Sequence, residues 1–262
     1  MDSIIQSALF FAFFLVLASS VLLSALFKFK SVIQYLLCIY LFSFANILLV
    51  GELAGLFNLL DSRLFFLLVH ILILTISAVL WKKLGTPPLF SPIKNAISQI
   101  RSYTLKNYIK NHPTLSLFGI AVSLCYLLAM ILVIVVPPNN YDSMTCHMAR
   151  IGYWLQNGNF LPWPTWFTLQ VDYPISAQIE VLWSILFWRT DAFAGFVEWF
   201  AAVFSIIAVF GIARLLNRSK SQALFACLIY ALFPQILLQA TSTMPHLLGS
   251  TFVLISFYFF FL

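Results

Sequence analysis

The sequence predicts an all-α polytopic membrane protein of about seven transmembrane helices, with two further helices on the outer surface in the loop after the fourth span. Composition is the first observation behind that reading: of 262 residues, 62% are hydrophobic and only 8% charged, with 28 Phe, against about half apolar and a quarter charged in soluble domains. The second is that the apolar residues gather into runs near the ~20 residues needed to cross hydrocarbon. The third is that the charged residues between the runs are sorted by sign.

The runs are, in order, Ile4 to Phe27, Val32 to Leu56, Leu64 to Trp81, Thr114 to Val136, Phe193 to Ala213, Gln222 to Gln239 and His246 to Leu262. The first begins after Asp2 with no basic segment before it, so it reads as a retained span rather than a cleaved signal. The last meets the end of the chain while still apolar, and on that pattern the sequence reads as the N-terminal fragment of a longer protein. Cys38, Cys125 and Cys227 fall inside runs and only Cys146 in a loop, which speaks against a disulfide framework.

Alternating the loops places Lys28, Lys30, Lys82, Lys83, Lys94, Arg101, Lys106, Lys110, Arg214, Arg218 and Lys220 on one side. Arg63, Arg150 and Arg189 fall on the other, with all the carboxylates. The positive-inside rule makes the first side cytoplasmic. The net charge of +6 is thereby explained by orientation, and no nucleic-acid partner is implied. The expected location is the plasma (inner) membrane, multi-pass, with loop chemistry on the outer face.

The chain divides into three regions: three N-terminal spans over 1–81, a basic cytoplasmic linker over 82–113, and a partial membrane domain over 114–262 with its outer loop at 137–192. In the linker, Gly85-Thr86-Pro87-Pro88 and Ser91-Pro92 mark turns. Asn95 to Asn111 reads either as a basic surface helix drawn to anionic lipid or as a solvated connector. Gln178 to Trp188 is apolar but too short to span. It is expected to lie along the outer surface with Trp183 and Trp188 at headgroup level.

The outer loop holds the chemistry-bearing residues. Met144, Met148, Ile151 and Leu155 recur at helical spacing as one apolar stripe, expected to face lipid or the bundle. Ser143, His147, Arg150 and Trp154 form the stripe beside it, Asn157-Gly158 supplies a stop, and Asn140 or Asp142 a start. Asp142 and Arg150 bring a carboxylate and a guanidinium into one region. A carboxylate near low dielectric suits a general base, and the guanidinium fork suits phosphate. The same spacing also fits Asp142 as a helix cap and Arg150 as a side chain reaching headgroups. Leu161-Pro162-Trp163-Pro164-Thr165-Trp166 is a rigid aromatic turn, able to stack on sugars or to anchor in an interface. Asp191 is placed to cap the fifth span, and Glu198, inside it, is expected to face the bundle interior.

At these residues the chain resembles the GT-C superfamily of polytopic glycosyltransferases, in particular bacterial relatives of the dolichyl-phosphate-mannose-protein mannosyltransferases (glycosyltransferase family 39) and of the lipid A aminoarabinose transferases. The likeness covers Thr114 to Leu262. It rests on Tyr141-Asp142-Ser143-Met144-Thr145-Cys146-His147-Met148-Ala149-Arg150 directly after a span, on Asp172-Tyr173-Pro174, and on Gln239-Ala240-Thr241-Ser242-Thr243 before the last run.

The resemblance implies transfer of a hexose or pentose from a polyprenyl-phosphate carrier to a lipid, protein or glycan acceptor on the outer face. It assigns Asp142 as the catalytic residue and Arg150, Asp172, Tyr173, His147 and His246 to substrate binding, with Arg150 on the donor phosphate. In the family's pattern an acidic residue often stands where Thr243-Met244-Pro245-His246 puts a histidine. The family's later spans and C-terminal outer domain are not in this sequence, so the fragment's own activity is open. No cofactor is assigned. Gly-rich phosphate loops and Cys/His metal spacings do not occur, and a divalent metal ion is possible but not indicated.

Two other classes remain. A lipid or solute transporter would place ionisable groups and helix breaks at mid-membrane, whereas here both gather toward the outer loop. A non-catalytic membrane subunit, or the remnant of a truncated gene, would account for His246 and for the abrupt end.

Overall fold

The computed structural model describes residues 2–102 and 105–262, and within these the side chains of 2–7 and 99–106 lie outside the description. Every regular element among the described residues is helical. Five helices are long and apolar enough to cross a membrane.

Helices α1 (Asp2–Leu26), α2 (Val32–Leu56) and α3 (Arg63–Lys83) match the first three apolar runs to within two residues. Ser31 starts α2 with a reciprocal capping box to Gln34, and the Ser62 hydroxyl accepts the Phe65 N–H at the start of α3. The linker contains α4 (Ser91–Ser102) and α5 (Leu105–Asn111); residues 103–104, within the surface helix expected over Asn95 to Asn111, lie outside the described residues. Pro113 at the first helical position opens α6 (Pro113–Val135).

After α6 come a π-helical turn (Ser143–Met148), α7 (Ala149–Asn157), the short α8 (Leu169–Asp172) and α9 (Ser176–Trp188). The chain continues through α10 (Phe196–Leu215), α11 (Lys220–Ala231), α12 (Pro234–Gln239) and α13 (His246–Phe260). The run expected to be one span at Gln222 to Gln239 is broken in two. Pro234 has no N–H to continue the α11 ladder and instead opens α12.

Two ends of the bundle can be told apart by their contacts. At the loop end, the α2–α3 turn meets the end of α7: Leu60 N–H donates to Gly158 O at 3.1 Å and Asn159 Nδ2 to Asn58 Oδ1 at 2.8 Å. At the linker end, the Tyr35 hydroxyl donates to Leu89 O and Trp81 Nε1 to Pro87 O, pinning the linker beneath α2 and α3.

Helix α9 departs from expectation. It does not lie on a surface: its Leu182, Leu186 and Phe187 are fully buried in a core shared with α1, α2, α3 and α7. Trp183, expected at headgroup level, is 6% exposed and donates its indole N–H to His70 Nε2 at 2.9 Å. A 13-residue helix with apolar residues on every side has no polar face to offer water, so burial among other helices is its stable position. Gly51 of α2 permits the approach, since a Cβ there would fall 2.3 Å from Ile179 Cγ2.

Helix α10 packs against α13, α11 and α6 through small residues, with Ala201, Ala202 and Ala208 all fully buried. Thr251 Oγ1 donates to Ala201 O at 2.9 Å, Tyr126 OH to Ala231 O at 3.1 Å and Trp199 Nε1 to Tyr126 O at 3.1 Å. Glu198 faces the interior as expected, where its Oε2 accepts the N–H groups of Leu247 and Leu248 at 3.1 and 3.2 Å and caps the start of α13. Asp191 does not cap α10: its only bond there is a backbone turn to Ala194, and α10 begins after Gly195 without a side-chain cap.

Candidate functional site

The sequence between α6 and α9 folds into a platform at the loop end. Asn140, not Asp142, caps its first turn, its Oδ1 accepting the Ser143 N–H at 2.8 Å. Asp142 makes no capping bond and is left exposed. The chain then widens into the π turn over Ser143–Met148 before tightening into α7. A π turn inserts an extra residue and rotates the helix beyond it about its axis.

The facing is the reverse of one with the apolar stripe inward. Ser143, Cys146, His147, Arg150 and Trp154 are buried, while Met144 is 49% exposed and Met148 and Leu155 are half-buried. Of the apolar stripe only Ile151 is fully inside. Cys146, His147 and Arg150 of the inward-facing side find hydrogen-bond partners there, which offsets part of their desolvation.

Those partners come from the 169–174 segment and from α9. Cys146 Sγ donates to Leu169 O at 3.2 Å and Gln170 Nε2 to Thr145 O at 2.7 Å. Arg150 Nε donates to Gln170 O at 2.6 Å and its Nη1 to Pro174 O at 3.3 Å, while its Cζ lies 5.2 Å from the Trp154 ring centre. Arg150 is thus a strut under the strap that carries Asp172 and Tyr173. Its Nη2 is buried without a partner.

Gln178 Nε2 donates to His147 Nδ1 at 2.7 Å, which places the ring proton on Nε2. The Thr243 N–H reaches Ser143 Oγ at 3.4 Å and draws the α12–α13 connection onto the π turn.

Between these pieces lies a cleft of about 60 Å³, with Asp142, Cys146 and His147 from the π turn, Tyr173 from the strap, and Met244 and His246 from the approach to α13 among its walls. Four of the six residues singled out from sequence, Asp142, His147, Tyr173 and His246, therefore meet in one place. Arg150 and Asp172 do not line it: Arg150 is behind the wall and Asp172 is exposed on the strap, close enough for its charge to favour the Arg150 cation.

The buried groups around the cleft are held in particular charge states. Burial, reinforced by the Arg150 and His246 charges and partly opposed by Asp142, lowers the His147 pKa to about 4, so the imidazole is neutral at pH 7. Burial also lowers Arg150 from its usual value, and raises the Cys146 thiol, which is therefore a poor nucleophile. All four cysteines are free. Among the described residues no three His, Cys, Asp or Glu side chains converge as a metal-ligand set.

No family model, no curated protein and no solved structure matches this chain. The chemistry of the site must accordingly be argued from its own residues. Gln178, which bonds His147, was not singled out by spacing; the signal was an amide at the head of an otherwise apolar stretch.

Proposed function

We propose that the chain acts as a membrane glycosyltransferase that moves a sugar from a polyprenyl-phosphate carrier to an acceptor hydroxyl at the outer face of the plasma membrane. The observation that carries this reading is the cleft in which Asp142, His147, Tyr173 and His246 come together from three separate segments at the loop end of a bundle of apolar helices. An exposed carboxylate, a neutral histidine and an aromatic ring at such a boundary suit a substrate whose sugar is in water and whose tail is in lipid.

The orientation is part of the proposal. The linker end collects the lysines and arginines of the 28–30, 82–110 and 214–220 segments, and by the positive-inside rule it faces the cytoplasm. With α11 plus α12 as a broken sixth span and α13 as a seventh, the loop end faces outward. The π turn with α7 then serves as the outer-surface helix of the expected topology.

In the reaction, Asp142 accepts the proton of the acceptor hydroxyl as its oxygen attacks the anomeric carbon. The bond from that carbon to the phosphate oxygen breaks, its electron pair leaves with the polyprenyl phosphate, and the anomeric configuration inverts. The Nε2–H of neutral His147 and the ring of His246 donate hydrogen bonds to the phosphate as its charge grows. Arg150 holds the strap that carries Tyr173 and adds a positive field from behind the wall. A cleft of about 60 Å³ receives only the reacting end; pockets that enclose whole drug-sized ligands are about 300–1,000 Å³.

The test is label transfer by membranes containing the protein at its native length, supplied with polyprenyl phosphate carrying tritiated mannose or aminoarabinose. Asp142→Asn is expected to lower transfer about 10²–10⁴-fold with membrane insertion unchanged. Undiminished transfer by the variant, or none from either donor by the wild type, would overturn the assignment.

A further inference from the structure

An apolar groove of about 690 Å³ lies at the linker end, opposite the cleft. It is lined by the first turns of α6 and of α11, with Leu115, Leu117, Phe118, Ala121 and Phe225 as its apolar residues. Among its walls, Leu117 is 69% and Phe225 52% exposed, so apolar surface is left open along a membrane-crossing helix.

The groove is polar only at its mouth, where Thr114, Ser221 and Gln222 stand. Around that mouth the charge has one sign. Lys110 stands in the last turn of α5, four residues before Thr114, and Lys220 directly precedes Ser221, with Arg218 two residues further back; all three are exposed. The α10–α11 connection and the end of α5 carry no carboxylate to neutralise them. Apolar walls, a polar rim at Thr114, Ser221 and Gln222 and three exposed cations flanking those residues along the chain form one gradient, and it matches an amphiphile with a hydrocarbon tail and an anionic head.

We propose that this groove holds one anionic phospholipid of the linker-side leaflet, with a chain against Phe118, Ala121 and Phe225 and its phosphate among Lys110, Arg218 and Lys220. The inference does not depend on the glycosyl-transfer reading, because the groove is at the far end of the bundle from Asp142 and needs only that α6 crosses the membrane. Bulk lipid would wet the apolar walls without choosing a headgroup. A specific site chooses, because each nearby cation adds about fivefold in affinity for an anionic head over a zwitterionic one.

The experiment uses the native-length protein in nanodiscs of equal palmitoyl-oleoyl phosphatidylglycerol and phosphatidylcholine, with bound lipid counted by native mass spectrometry after gentle release. The wild type is expected to retain one phosphatidylglycerol in about hundredfold preference over phosphatidylcholine, about fivefold for each of the three cations. Ala121→Trp, which puts a bulky ring into the groove, should lose that lipid, and Lys110→Gln with Lys220→Gln should cut the preference by about 25-fold while keeping the fold. Equal retention of the two lipids by the wild type, an unchanged preference in the lysine variant, or a dimer in which a second copy covers the groove would each overturn the proposal.

Discussion

Arg150 and His147 show how burial decides what a side chain can do. The Arg150 guanidinium is 1% exposed and gives two of its donors to backbone carbonyls, so its first effect is to fix the strap. Arg150→Met is expected to lower stability by about 2–4 kcal/mol, because it leaves the carbonyls of Gln170 and Pro174 buried without their charge-assisted partners. Thermal unfolding in detergent reads that loss. For His147, a folded-state pKa of about 4 set against about 6.5 in the unfolded chain means the unfolded state binds the extra proton between those values. Stability is therefore full above about pH 6.5 and falls as pH drops toward 4, by on the order of 1–2 kcal/mol. His147→Gln should flatten that slope when unfolding midpoints are compared between pH 7 and pH 4.5. Gly158 is a backbone case: its φ is +72° and a Cβ would fall 2.9 Å from Asn58 O, so Gly158→Ala should cost about 1–2 kcal/mol on strain and clash together.

Helix α9 owes its place to a chain of buried hydrogen bonds that crosses four helices. Trp183 donates to His70 Nε2 at 2.9 Å, and His70 Nδ1 donates to Asn46 Oδ1 at 2.9 Å. Asn46 Nδ2 then donates to Ser19 Oγ at 2.8 Å, which donates in turn to Val16 O. Every donor has an acceptor, so the low dielectric strengthens the chain rather than penalising it. Through Gln178 the same helix orients His147, and the three N-terminal spans are thereby tied to the cleft. A double-mutant cycle on Trp183→Phe and His70→Phe, read by unfolding, should give a coupling of about 1 kcal/mol, within the range for membrane-buried polar pairs. The sequence made the long helices and the loop chemistry legible, because span length and sign-sorted charge are local properties. It did not reveal the burial of α9 or the inward turn of the polar stripe. Trp183 reads alike as an interfacial anchor and as a core donor until His70, 113 residues away, is placed beside it, and no residue spacing announces the π turn.

At the scale of the whole molecule, helix order alone carries the carboxylates Glu52, Asp61, Asp142, Asp172, Glu180, Asp191 and Glu198 to the loop end and the exposed basic residues of the linker and the α10–α11 turn to the other. In the proposed orientation, the eleven Lys/Arg at the linker end against three loop-end arginines are the bias that the positive-inside rule would read. It can be read without knowing any substrate. Cys38, Cys146 and Cys227 are buried and Cys125 lies within α6, so a membrane-impermeant maleimide meets little native background. Gln156, exposed on α7, and Ser98, exposed on α4, then serve as opposite reporters. Intact cells carrying Gln156→Cys are expected to label at once, and those carrying Ser98→Cys only after permeabilisation. The inverse pattern would put the cleft in the cytoplasm, where the lipid-linked donor and the transfer proposed for Asp142 would both have to be abandoned.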